Sequence, residues 1–186
     1  MTSALFELLV FSLPSLIWTR RLRRAGSSRV EALSAIGLRP AARSEYVLAI
    51  VLAIPGAALG ALLLSAIPSH LLHGGSKNIV GSPSGVGGYA AIVLLALAEE
   101  MLFRGFLAGL LFRRFGFRTG NILQAMMFLA PHTLLLLVSL SFWPILPLQL
   151  IAGWTLGWLR KHSGSIGPCW LAHALTNLLP ALLFGL

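Results

Sequence analysis

Long apolar runs alternate with short basic breaks along the chain. Runs dominated by Leu, Ala, Ile, Val and Phe fall at about 4–18, 46–66, 89–112, 120–141, 143–159 and 165–185, close to the roughly 20 residues that a helix needs to cross about 30 Å of hydrocarbon. The pattern predicts an all-α fold, a polytopic transmembrane helix bundle of about six spans. The first and fifth runs are short and contain or adjoin Pro14, Pro144 and Pro147, which suits segments that tilt or cross only in part.

The breaks carry the charge. Twelve of the 14 Lys and Arg residues lie in three clusters: Arg20, Arg21, Arg23, Arg24, Arg29, Arg39 and Arg43; Arg113, Arg114 and Arg118; and Arg160 with Lys161. Alternating topology puts all three on one side, the cytoplasmic side by the positive-inside rule. Both termini and the Gly- and Ser-containing loop at 69–88 then face outward. The N-terminal run has no basic residues before it and a basic block after it, the reverse of a secretory signal, so it reads as a retained membrane segment. Residues 1–45 form a first span followed by a basic cytoplasmic segment whose stretch from Val30 to Tyr46 is amphipathic and suits a surface anchor; residues 46–186 form the core.

Composition agrees with lipid as the solvent, at 57% hydrophobic and 10% charged. A net charge of +9 would suggest nucleic acid in a polar chain, but confinement of the charge to breaks between spans excludes that partner. The single cysteine, Cys169, forms no intramolecular disulfide. Gly56 with Gly60, Gly105 with Gly109 and Gly153 with Gly157 are small-xxx-small pairs that let helix backbones approach closely.

One span breaks the apolar rule. The stretch Ala98-Glu99-Glu100-Met101-Leu102-Phe103-Arg104-Gly105 places two carboxylates and a guanidinium in mid-helix, where each charge costs about 2.5–3.5 kcal/mol to insert. Such residues need partners or a hydrated cavity, and they mark function. At 100° per residue Glu100 and Arg104 share a face and can pair, whereas Glu99 is rotated by roughly 140° from Arg104. Paired Glu100 is expected to stay ionised and brace the helix. Glu99, desolvated beside a second carboxylate, is suited to exchange a proton and is cast as the base.

The fourth run supplies Phe128-Leu129-Ala130-Pro131-His132 and the sixth His173-Ala174-Leu175-Thr176-Asn177. Counted from the cytoplasmic boundaries, Glu99, His132 and Asn177 lie about 21, 18 and 18 Å into the membrane, so they can meet at one level. Pro131 is expected to bend its helix and free a carbonyl beside His132. Phe128 reads as packing that orients His132, and Gln124 and Thr176 as polar bystanders. His70 and His73 read as solvated loop residues, and His162 as part of the basic patch.

Together, Glu-Glu-xxx-Arg, Phe-xxx-His and His-xxx-Asn on successive helices resemble the CAAX protease and bacteriocin-processing family of intramembrane endopeptidases over about residues 46–186. The resemblance implies that Glu99 and His132 activate the attacking water, that Glu100 and Arg104 brace the site, and that His173 and Asn177 stabilise the tetrahedral oxyanion. It implies a peptide or protein substrate presented from the lipid bilayer: a prenylated tail, a bacteriocin leader or a C-terminal sorting tail. It implies two routes to water activation. The favoured route has no cofactor, because no HExxH pattern is present and Asn177 suits an oxyanion donor better than a zinc ligand; the other has Glu99, His132 and His173 on Zn²⁺. A reading of another class is a non-hydrolytic protein of bacteriocin self-immunity. The compact chain and its arginine bias suggest a multi-pass protein of a bacterial cytoplasmic membrane.

Overall fold

The computed structural model describes residues 1–73, 83 and 85–184, and among these it is helical with no strand. The helices are α1 (Thr2–Arg24), α2 (Arg29–Ala35), α3 (Arg43–Ser65), α4 (Ser69–His73), α5 (Gly85–Glu100), α6 (Ala108–His132), α7 (Ile145–Ser163) and α8 (Gly167–Phe184). Residues 74–82 and Ser84 of the expected outer loop, and the side chain of His73, lie outside the described residues. Among the described residues four helical runs are long and apolar enough to cross a membrane: Thr2–Arg24, Arg43–Ser65, Gly85–Leu137 and Leu140–Ser163. The chain is an integral membrane protein, and its outward Phe6, Leu9, Leu62 and Leu137 are the surface that lipid covers.

The third run makes two passes. Gly116 interrupts it at φ 73° and ψ 173°, a conformation open essentially to glycine alone. Around that point Phe112 packs on Phe117, Leu111 meets Gly120, and Phe103 packs on Phe128. These nested contacts define an antiparallel hairpin whose legs are α5 with the first part of α6, and residues 117–132. The expected fourth run reached residue 141, but α6 stops at His132 and gives way to tight 3₁₀ turns at Thr133–Leu137 and Leu140–Phe142. The α-helix ends one residue after Pro131, whose ring crowds the Met127 carbonyl and whose missing N–H leaves that carbonyl without its helical donor, which loosens the last turn. The expected short first and fifth runs are full helices of 23 and 19 residues, because α1 continues into its arginines and α7 accommodates Pro147 in its first turn.

Close approach between backbones holds the bundle together. A Cβ on Gly157 would collide with the side chains of Asn121 and Gln124, and one on Gly109 would meet the Ala35 carbonyl at 2.6 Å. Of the small pairs, Gly60 makes only ordinary contact, with Leu148 at 3.7 Å. Ala49, Leu156, Leu159, Cys169 and Ala172 join α3, α7 and α8, while Ile67, Phe142 and Ile145 close the other end.

The segment expected as a surface anchor is docked into protein. Ser28 and Glu31 form a capping box at the start of α2, and the hydrogen bonds from Ser28 hold the Glu31 carboxyl below its ordinary range. Ala32 and Ile36 are fully buried, Ile166 N donates to Gly37 O at 3.0 Å, and Ser165 Oγ donates to Arg39 O at 2.7 Å. Only part of the amphipathic pattern, with Val30 exposed, is left for a membrane surface. His162 likewise serves a specific contact: its Nδ1 lies 2.9 Å from Glu45 and its ring packs on Trp158.

Gly116→Ala is expected to destabilise the protein by about 1–3 kcal/mol, since alanine must hold a backbone conformation it rarely adopts. Unfolding in mixed micelles on titration with SDS measures the loss.

Candidate active site

Glu99 and Glu100 end α5, and Arg104 lies in the π-helical segment Met101–Leu107 that joins it to α6. Widened turns of this kind are rare and recur at functional sites. Glu100 and Arg104 are both fully buried, and Arg104 Nη1 donates to Glu100 Oε1 at 2.9 Å. The same oxygen lies 2.8 Å from His173 Nδ1. Because a carboxylate accepts, Nδ1 is assigned as the donor, and Nε2 is left facing Glu99 Oε2 at 3.7 Å. That separation exceeds a hydrogen bond, so Nε2 and Glu99 are near neighbours that remain free to engage a third group.

Phe128 organises the other side. Its ring lies 4.3 Å from the Arg104 guanidinium carbon, 5.1 Å from the His132 ring and 5.9 Å from the His173 ring. The cation over its face adds attraction in a desolvated setting. The Phe128 carbonyl accepts from His132 Nδ1 at 2.8 Å, which leaves the imidazole's Nε2 outermost.

A cavity of about 550 Å³ opens in front of these residues. Glu99, His132 and Asn177 lie on its wall with the apolar Leu95, Phe103, Leu135 and Leu148. Three helices therefore bring three of the six expected site residues to one space. Glu100, Arg104 and His173 stand behind that wall as a buried brace. Asn177 lies one turn beyond His173 on α8, and its side chain engages no described residue.

Several contributors were not visible in the spacing. Gln124 is no bystander: it donates to Gly153 O at 2.7 Å and to Asn121 Oδ1 at 2.9 Å, while Arg104 Nη2 reaches the same Gly153 carbonyl at 3.4 Å. Thr176 turns back on the Ala172 carbonyl and borders the cavity. Arg160, expected in a basic surface cluster, is buried, donating from Nε to Arg104 O at 3.1 Å and reaching the Ser34 and Ala35 carbonyls. Glu7 of α1 also lines the cavity. Its signal was available in the sequence, since a carboxylate inside an apolar run is the feature that singled out Glu99.

Among the described residues no three His, Cys, Asp or Glu side chains are gathered as a metal site; the bond from Nδ1 to Glu100 leaves His173 Nε2 open to a ligand.

Arg104→Met is expected to destabilise the fold by about 3–5 kcal/mol by leaving Glu100 buried without its cation, whereas Glu100→Gln combined with Arg104→Met recovers most of that loss. A double-mutant cycle of unfolding free energies in micelles checks both outcomes.

No curated protein and no solved structure matches this chain. The model of one family, described as type II CAAX prenyl endopeptidase Rce1-like, matches residues 81–179, more than half of the 186 residues. That span holds both members of the buried ion pair, the Phe128–His132 turn and the His173–Asn177 turn, so the membrane bundle and its polar centre lead to one assignment: the chain belongs to the Rce1-like family of CAAX-type endopeptidases.

Proposed function

We propose that this protein is an intramembrane endopeptidase that hydrolyses a peptide bond in a membrane-associated or lipid-modified substrate tail, with water activated by Glu99 and His132. The observation that carries this reading is the meeting of Glu99, His132 and Asn177, from three helices, on one largely apolar cavity wall. Amide hydrolysis needs a base for water, donors aimed at the developing oxyanion, and an acid for the leaving amine. Glu99 takes the proton from water and returns it to the amine, while His132 Nε2 orients the water. Asn177 supplies one oxyanion donor from its amide N–H, and His173 supplies a second from Nε2 in its doubly protonated form, in which Nδ1 still donates to Glu100. The 3.7 Å gap to Glu99 leaves Nε2 uncommitted in the resting site. Glu100 fixes the His173 ring through Nδ1, and Arg104 keeps Glu100 compensated.

The substrate approaches from the bilayer, and no step is routed through a metal. The basic clusters support an orientation with the arginine-rich end on the cytoplasmic side, in keeping with the proposed bacterial cytoplasmic membrane.

Glu99→Gln is expected to lower cleavage by about 10²–10⁴-fold while the protein still inserts and folds. Comparison of membrane proteomes with and without the protein, searched for new chain ends, identifies a substrate on which the rate is measured. Normal cleavage by the variant rules out Glu99 as the base. Asn177→Ala is expected to cost about 10²–10³-fold in kcat, and a chelator is expected to leave the wild-type rate unchanged. Loss of activity on chelation, restored by zinc, would replace this mechanism with a metal-dependent one.

A further inference from the structure

The cavity contains a carboxylate that hydrolysis leaves unused. Glu7 faces it from α1, outside the span matched by the family, with Phe11 one turn along. α1 runs parallel to α5: Met1 lies beside Gly87, Ser15 Oγ donates to Met101 O at 2.6 Å, and Trp18 packs on Phe106. Carried along this register, Glu7 sits level with about residues 93–95, and therefore about 6–9 Å beyond Glu99 toward the outer face.

The chain has five acidic residues, and four have company: Glu31 bonds Ser28, Glu45 meets His162, Glu100 holds Arg104 and His173, and Glu99 has His173 at 3.7 Å. Glu7 has no hydrogen bond or ion pair with any described residue, although it is partly buried in a helix apolar enough to cross the membrane. Such a position is costly unless a partner arrives. Among the described residues that line the cavity none is Lys or Arg, so Glu7 and Glu99 give these walls an acidic character.

We propose that Glu7 determines specificity by receiving a Lys or Arg side chain of the substrate, two or three residues from the scissile bond. The distance sets that register, because an extended peptide advances about 3.3 Å per residue. The walls fit the ligand: Phe11, Ile92 and Leu95 suit the aliphatic stem of Lys or Arg, and the carboxylate meets its charged end. Two carboxylates so far apart do not share one metal ion, whose oxygen ligands lie within about 2.6 Å of it.

This inference rests on the hydrolytic reading for the position of the scissile bond, and the test keeps the two apart. Binding is measured in nanodiscs on the Glu99→Gln variant, using an apolar peptide in which a single Lys or its uncharged isostere norleucine is placed at each position in turn. The Lys peptide is expected to bind about tenfold more tightly at one register, the scale of a partly desolvated ion pair. Adding Glu7→Gln brings the ratio to about one, adding Glu7→Lys shifts the preference to a Glu-containing peptide, and adding Glu7→Asp retains the preference for Lys. A ratio near one with Glu7 intact, or a preference that survives Glu7→Gln, overturns the proposal. A wild-type protein that binds these peptides with the Lys preference and cuts none of them supports the Glu7 site and sinks hydrolysis alone.

Discussion

A fully buried carboxylate shared by an arginine and a histidine is the constraint on which the rest of the site depends. Glu100 Oε1 takes Arg104 Nη1 and His173 Nδ1 at 2.9 and 2.8 Å, with neither Glu100 nor Arg104 exposed. In hydrocarbon none of these groups is tolerable alone, so each obliges the others to be present and oriented. The triad links α5 and the π-helical segment that follows it directly to α8, with Glu100 and His173 73 residues apart along the chain. Mutual neutralisation thereby becomes a positional constraint on His173.

The surrounding bundle extends that constraint. Arg104 is held by the Phe128 ring and the Gly153 carbonyl, and Gln124 anchors the same carbonyl. From the cytoplasmic end, Arg160 grips the Arg104 carbonyl and the end of α2. The close approaches at Gly109 and Gly157 bring those partners within reach. Packing and chemistry are consequently hard to separate: the small residues that allow helices to touch also admit the polar groups that compensate the buried ions.

Rigidity behind the wall leaves freedom in front of it. Glu99, His132 Nε2 and Asn177 border the cavity without being consumed by structural bonds, which is what the proposed hydrolysis asks of groups that engage water and substrate. Apolar walls lower the local polarity, so a donor or base there acts more strongly than in water. Glu7 extends the polar surface outward along α1, away from the reacting centre.

By itself the sequence determined the solvent, the fold class and the core of the polar set. Run lengths near 20 residues define spans, a charge inside one is too costly to be accidental, and the four-residue spacing from Glu100 to Arg104 pairs them through local helix geometry. Only the tertiary structure decided what lay between elements. The reversal at Gly116, the π-helical turn, the inward dive of Arg160 and the work of Gln124 all depend on partners distant along the chain. An arginine beside a basic cluster reads the same whether it faces water or a carbonyl, and a carboxylate in α1 acquires a cavity only when that helix lies along α5. Spacing encodes contacts within one helix; contacts between helices are set by how whole surfaces fit, and no single segment carries that information.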